Sequence, residues 1–185
     1  MTDELKGKRI AFLIANSGVE QVELTTPWEG VERAGGQPVL VAPEKGKVQA
    51  FNSDVEPGDT FEATEAVSEV SSDVYDGLVL PGGTTNPDKL RMDQDAMHFV
   101  AGFAGSGKPI AAICHGPWSL VEADLVRGKT LTSWPSLQTD IRNAGGEWRD
   151  VESFTCPERY PLVTSRKPDD LDAFVSAAIA AFAAT

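Results

Sequence analysis

Short apolar runs alternate along the chain with longer segments in which apolar residues recur at helical spacing. The candidate strands, in chain order, are RIAFLIA, PVLVAP, GLVLP, PIAAIC, TLTSW and PLVTS. The candidate helices are residues 22–34, 86–105, 116–126, 136–144 and 168–184. Apolar strands separated by helices predict an α/β fold in which a doubly wound, mostly parallel sheet carries helices on both faces, as in a flavodoxin-like sandwich.

One segment breaks this alternation. Residues 45–72 are polar and rich in turn-forming residues, which predicts a hairpin and a loop inserted in the α/β core. A chain of 185 residues is long enough for one domain with a proper core and short for two. We therefore expect residues 1–185 to form a single domain.

Charge and cysteine usage restrict the partners and the compartment. The chain has 28 acidic and 16 basic residues, a formal net charge of -12, and no cluster of Lys and Arg, which predicts no binding to nucleic acid or to an anionic membrane. Neither a secretory signal nor an apolar stretch of about 18 residues is found, so we expect no membrane span. Two cysteines make no disulfide framework, and a cytoplasmic protein with free thiols is predicted.

Unusual residues follow several of the predicted strands, where open α/β sheets bind their ligands. The first strand runs into NSGVEQVEL, with Glu20 in a loop, and the third ends in Pro-Gly-Gly at Gly82 and Gly83. The fourth ends at Cys114 and His115. These strand ends are therefore the candidate functional site.

Cys114 has the sequence setting of a nucleophile elbow, a sharp turn from a strand into a helix. The helix start favours a thiolate, so we expect the pKa of the Cys114 thiol to be lowered and the thiolate to form near neutral pH. The backbone amides of His115 and Gly83 are the predicted oxyanion donors. Side chains of adjacent residues normally diverge, so the pairing of Cys114 with His115 is left open.

These residues also carry a resemblance to a known family. AICHGP after GKPI, LVLPGG, VEQVEL, NAGGEW and VTSRKPDDL follow one another in the order seen in the ThiJ/PfpI superfamily, and specifically in its PfpI-type branch, which is class I glutamine amidotransferase-like. The similarity covers nearly the whole chain. It supports the α/β fold predicted above.

The resemblance implies roles for single residues. Cys114 matches the nucleophile, Glu20 the carboxyl group that hydrogen-bonds its sulfur, and His115 the histidine that an acid from a neighbouring subunit completes. That acid is matched by Asp88, in a loop one residue longer than the family pattern. The resemblance thus implies a homo-oligomer, a dimer or a hexamer. Trp118 replaces an expected polar residue and is predicted to narrow the pocket.

The remaining candidates are assigned to structure rather than to chemistry. Cys156 has no elbow and no neighbouring base, which predicts a bystander thiol, and Glu23 is interpreted as a helix-start acid favoured by the helix dipole. His98 is expected on a helix surface or partly buried. The two histidines and two cysteines have no zinc-site spacing, so neither a metal nor a cofactor is predicted.

Three classes of function remain open. The first is a cofactor-free, glyoxalase III or deglycase-like enzyme of the stress response, in which the Cys114 thiolate adds to a reactive carbonyl such as a 2-oxoaldehyde. The second is a cysteine peptidase acting on peptides, and the third is a non-enzymatic redox sensor or chaperone with an oxidised cysteine. Small carbonyls need only a tight pocket, so carbonyl chemistry ranks first.

Overall fold

A seven-stranded sheet forms the centre of the structure, a computed structural model that describes residues 3–185. The strands, numbered along the chain, are β1 Arg9–Leu13, β2 Ser17–Glu20, β3 Gln37–Ala42, β4 Gly46–Asn52, β5 Glu56–Ala63, β6 Glu65–Ala66, β7 Gly77–Leu80, β8 Ile110–Ile113, β9 Thr130–Leu131, β10 Glu147–Trp148, β11 Ser153–Cys156 and β12 Leu162–Ser165. The large sheet has the order β11-β12-β8-β7-β1-β3-β6. In this sheet, as far as residues 3–185 show, every strand pair is parallel except that of the edge strand β11 with β12.

The central strands are apolar throughout because both faces of the sheet are covered. In β8, Ile110 and Ala112 join one core, and Ala111 and Ile113 join the other, as the two-residue repeat of a strand requires. This arrangement confirms the predicted doubly wound α/β fold with a mostly parallel sheet.

Among the residues that the structure describes, six α-helices flank the sheet. They are α1 Gln21–Arg33, α2 Thr85–Leu90, α3 Gln94–Gly105, α4 Pro117–Glu122, α5 Gln138–Asn143 and α6 Leu171–Ala183. The core on one face contains apolar residues of α1 and α6, and the core on the other face contains apolar residues of α2, α3, α4 and α5. Within residues 3–185 no helix is both long and apolar enough to cross a membrane.

The predicted helix over residues 86–105 is wrong in one respect, because the structure has two helices there, α2 and α3. The chain turns at Arg91 and Met92, and the Asp93 side chain accepts a hydrogen bond from the Ala96 backbone N–H at 2.9 Å. This bond is an N-cap, which starts a new helix instead of continuing the previous one.

Five of the predicted strands lie in the large sheet, but TLTSW does not. Only Thr130 and Leu131 are extended, and they pair with β10 in a separate two-stranded sheet. The next backbone N–H, at Thr132, donates to the side chain of Thr164 at 2.9 Å, so it is used without strand pairing. The prediction of a sixth core strand was therefore wrong.

The inserted segment contains the predicted hairpin, formed by β4 and β5. Its partner was not predicted: residues 17–20 form β2, which pairs parallel with β4. Glu20 thus ends a short strand, where a loop was expected, and directly precedes α1. Through this pairing the hairpin is held beside the carboxyl ends of β1, β7 and β8, where the candidate residues lie.

Candidate active site

Cys114 lies between β8 and α4 in a strained backbone conformation, with φ at 61°. Positive φ is uncommon for a residue with a Cβ and is typical of the elbow that exposes a nucleophile. The next turn is tight, since a Cβ at Gly116 would lie 2.3 Å from the Leu80 carbonyl oxygen. Pro117 then starts α4. The predicted elbow position thus coincides with a strained strand-to-helix turn.

The backbone amides of Gly83 and His115 lie beside the Cys114 sulfur and lower the pKa of its thiol. Gly83 has φ at 79°, and a Cβ there would lie 2.4 Å from the Gly18 carbonyl oxygen, so this position requires glycine. The amides proposed from sequence as oxyanion donors therefore surround the sulfur itself. They stabilise negative charge on it and on an oxygen bound next to it.

The carboxyl group beside the sulfur belongs to Glu23, and the assignment of Glu20 to this role was wrong. The Glu23 side chain is fully buried beside Cys114, whose thiol it affects electrostatically, and accepts the Gly82 backbone N–H at 2.8 Å through Oε2. Its Oε1 atom is buried and has no hydrogen-bond partner among residues 3–185. Glu20 instead accepts the backbone N–H groups of Ser53 and Asp54, at 3.2 and 3.3 Å.

The helical repeat explains the exchange of roles between the two acids. Glu23 shares the buried side of α1 with Pro27, Gly30 and Val31, so the helix directs it inward. Glu20 precedes the first helical turn and faces the hairpin. The spacing of Glu23 relative to this apolar stripe was the available sequence signal, and the interpretation of Glu23 as a helix-start acid favoured by the dipole missed it.

Burial controls the charge of this pair. It raises the pKa of the Glu23 carboxyl to about 8, so Glu23 is mostly protonated at neutral pH. Burial also raises the pKa of the Cys114 thiol, an ionised Glu23 adds to the rise, and the Gly83 and His115 amides oppose it. The sequence-based expectation of a lowered thiol pKa was wrong in direction, because burial outweighs the effect of the short helix α4.

His115 contacts Cys114 despite being its neighbour in sequence. Its Nδ1 atom lies 3.2 Å from the Cys114 sulfur. The ring is buried between Trp118 and Trp134, with ring centroids 5.2 and 5.6 Å away. Burial lowers the pKa of His115, and the opposing effect of the Asp54 charge is smaller. His115 is thus a neutral imidazole at neutral pH, positioned to accept the thiol proton.

A cavity of about 320 Å³ opens next to the sulfur. It is lined by Glu20, Glu23, Ser53, Asp54, Gly83, Cys114, His115, Trp134 and Pro168. The tryptophan in this lining is Trp134; the prediction of Trp118 was wrong. Trp118 lies behind His115 and donates from Nε1 to Asp140 at 2.9 Å. Trp134 is the last residue of the predicted strand TLTSW, and this strand end was the available signal for it. No such signal marks Asp54.

The other two candidates lie away from this cavity. Asp88 is exposed on α2. Cys156 is buried on β11, pairs through β12 with the first residue of β8, and so lies at the end of the sheet opposite Cys114. The Cys156 thiol donates to Glu158 at 2.8 Å, and burial raises its pKa. Across residues 3–185, no three His, Cys, Asp or Glu side chains are grouped so as to hold a metal ion.

The chain is similar to known proteins over most of its length. Residues 8–181 match the model of the DJ-1/PfpI family. Among the relatives, "Protein/nucleic acid deglycase 2" of Escherichia coli is 39% identical, covering 90% of this chain and 93% of that protein. "Putative cysteine protease YraA" of Bacillus subtilis is 37% identical, covering 90% of this chain and 94% of that protein.

A solved structure provides a third match. It is a two-domain protein of Anabaena variabilis with DJ-1/ThiJ/PfpI-like and ferritin-like domains. The identity is 32% and the TM-score 0.84; the match covers 94% of this chain and 47% of that protein. Because the family pattern extends over residues 8–181 and the relatives align over nearly their full length, the chain belongs to the DJ-1/PfpI family.

Proposed function

We propose that this chain is a cysteine-dependent enzyme that acts on small reactive carbonyl compounds, with 2-oxoaldehydes as the substrate class. The observation that carries the proposal is the convergence of three groups on one small cavity: the strained Cys114, a buried Glu23 and the neutral His115. The deglycase name of an E. coli relative supports the same chemistry. Each step below uses groups of this chain and needs no cofactor.

The first step is addition of the Cys114 sulfur to the aldehyde carbon of a compound such as methylglyoxal. His115 accepts the thiol proton at Nδ1, 3.2 Å from the sulfur, as the carbon–sulfur bond forms. The aldehyde oxygen takes up a proton, and the product is a hemithioacetal. If methylglyoxal is already bound to an amine, the same attack forms the carbon–sulfur bond, breaks the carbon–nitrogen bond and releases the protonated amine.

The second step is an isomerisation of the hemithioacetal. One hydrogen moves from carbon 1 to carbon 2 and one proton from oxygen 1 to oxygen 2, which gives a thioester of lactate. Glu23 is suited to both transfers, because a pKa near 8 makes its acid and base forms accessible at neutral pH. Water then hydrolyses the thioester, releases lactate and restores the thiol.

The second candidate is a cysteine peptidase. The short distance between the Cys114 sulfur and His115 Nδ1 favours it, as does the protease name of the B. subtilis relative. The cavity argues against it, because about 320 Å³ bounded by Ser53 and Asp54 of the hairpin turn offers little room for an extended peptide. We therefore rank the peptidase second and a non-catalytic redox sensor third.

The three candidates differ in a simple assay. We expect the purified protein to convert methylglyoxal into one enantiomer of lactate and to leave a fluorogenic peptide uncut. Loss of methylglyoxal is not a sufficient readout, because any lysine or thiol consumes it, so the heat-denatured protein serves as control. Racemic lactate at the rate of that control would contradict the proposal, and peptide cleavage alone would favour the peptidase.

We further propose that the chain acts as a homo-oligomer in which Asp88 of one subunit completes the site of another. Nδ1 of His115 faces Cys114, which leaves Nε2–H to donate to an outside carboxylate, and Asp88 is exposed on its helix. Such a contact fixes the imidazole tautomer and orientation.

Asp88→Asn is accordingly expected to lower kcat roughly tenfold or more at unchanged thermal stability. Asp95→Asn, an exposed acid at the start of α3, is the matched control. Size-exclusion chromatography with light scattering gives the subunit number of each variant. A fully active monomer would refute the shared site.

A further inference from the structure

Negative charge dominates the entrance to the Cys114 cavity. Its lining includes the carboxylates of Glu20 and Asp54. Among residues 3–185, no Lys or Arg belongs to this lining. The cations next in sequence to Pro168 are already paired with acids: Arg166 bonds Asp170 at 2.9 Å, and Lys167 bonds Asp169 at 2.9 Å. A substrate that enters therefore meets uncompensated negative charge.

Asp54 is held in place on the hairpin turn. Its carboxylate accepts both the backbone N–H and the hydroxyl of Thr84, each at 2.6 Å. Its own backbone N–H donates to Glu20, and its φ of 66° belongs to a strained turn. The Asp54 charge is thus fixed relative to the cavity, although the residue is exposed.

The field of Asp54 reaches the reacting groups. Its charge opposes the lowering of the His115 pKa by burial and contributes to the raised pKa of Glu23. The same field acts on any charged group of a bound molecule, since both occupy the one cavity. It attracts a cation and repels an anion.

We infer that Asp54 is a specificity-determining residue that selects neutral and cationic carbonyl compounds and rejects anionic ones, such as carboxylated or phosphorylated aldehydes. This inference rests on the proposed function, because carbonyl compounds are the substrates proposed there. The selection itself is a property of the entrance to the cavity. It is therefore measurable at the Cys114 sulfur without turnover.

The test uses two methanethiosulfonates that differ in charge, the 2-(trimethylammonium)ethyl and the 2-sulfonatoethyl reagent. In each case the Cys114 sulfur attacks the sulfenyl sulfur, forms a mixed disulfide and releases methanesulfinate. A Cys156→Ala background leaves Cys114 as the only thiol. Rates are measured by intact-protein mass spectrometry and divided by those of 2-mercaptoethanol, which removes the intrinsic reactivity of each reagent.

We expect the normalised rate of the cationic reagent to be about ten times that of the anionic reagent at low salt. This ratio should fall at 0.5 M salt, which screens the charge of Asp54. Asp54→Asn should lower this ratio several-fold, since the asparagine oxygen still accepts from Thr84 while the charge is gone. Glu56→Gln, which removes one exposed charge from the same hairpin outside the cavity lining, should leave it unchanged.

A ratio near one, or an equal fall in both variants, would overturn the inference. Circular dichroism of Asp54→Asn, together with the sum of its two rates, distinguishes loss of charge from loosening of the hairpin. Loosening accelerates both reagents, whereas loss of charge slows the cation and accelerates the anion. Because no lactate is measured, failure of this test is separate from failure of the proposed carbonyl activity.

Discussion

Glu23→Gln is expected to lower kcat for lactate formation from methylglyoxal by about a hundredfold or more at pH 7. The amide keeps the size of the carboxyl and still accepts the Gly82 N–H, so the cavity is preserved. It neither gives nor takes a proton, and general acid–base catalysis contributes about 10²- to 10⁴-fold in enzymes. The measurement is kcat and KM from lactate appearance, and we expect KM to change little.

Glu20→Gln is the matched comparison, with the same replacement of a carboxyl by an amide three residues earlier in the chain. Glu20 accepts two backbone N–H groups of the hairpin turn, and an amide oxygen at this position still accepts one of them. We expect a loss of less than about tenfold in kcat. Equal losses in the two variants, or a larger loss for Glu20→Gln, would reinstate Glu20 as the proton-transfer residue.

The pH dependence of stability gives a second readout for Glu23. Its pKa is raised from 4.5 to about 8 in the folded state, so folding takes up a proton between these values. The stabilisation is fully present below pH 4.5 and is lost as the pH rises toward 8, with a limiting slope of about 1.4 kcal/mol per pH unit. Thermal unfolding of Glu23→Gln should lack this component, whereas Glu20→Gln should retain it.

Most of the fold was predictable because its elements have strong local signals. Five apolar runs bounded by turns became strands of the large sheet, and each had a helix pattern or the hairpin as its neighbour. The failures arose where a non-local bond or a cap overrode the local pattern. Thr132 bonds the Thr164 side chain where strand pairing was predicted, and Asp93 divides a long helical pattern in two.

The site was predictable at its backbone and less so at its side chains. An elbow needs only a strand end, a glycine and a helix start, and all three are visible around Cys114. Which acid faces the sulfur depends on the rotation of α1, and a shift of three residues exchanged Glu20 for Glu23. Which tryptophan lines the cavity depends on how α4, which carries Trp118, and the segment that carries Trp134 pack around His115. No sequence period encodes that packing.

Cys114→Ser is expected to reduce lactate formation at least about a thousandfold, to the rate of the heat-denatured control. A hydroxyl is a far weaker acid than a thiol, and in this buried site burial already raises the pKa of the thiol. Burial also lowers the pKa of His115, which makes the imidazole a weak base for the activation of an alcohol. Serine is nearly isosteric, and the thermal midpoint should therefore change little.

Cys156→Ser is the control for this loss, because Cys156 is buried at the opposite end of the sheet. We expect it to retain at least half of the wild-type kcat, even if replacing a buried thiol that bonds Glu158 lowers the thermal midpoint. Measuring lactate at a temperature where both variants are folded separates activity from stability. If Cys114→Ser keeps its activity and Cys156→Ser loses it, the nucleophile lies on β11 and the elbow has no catalytic role.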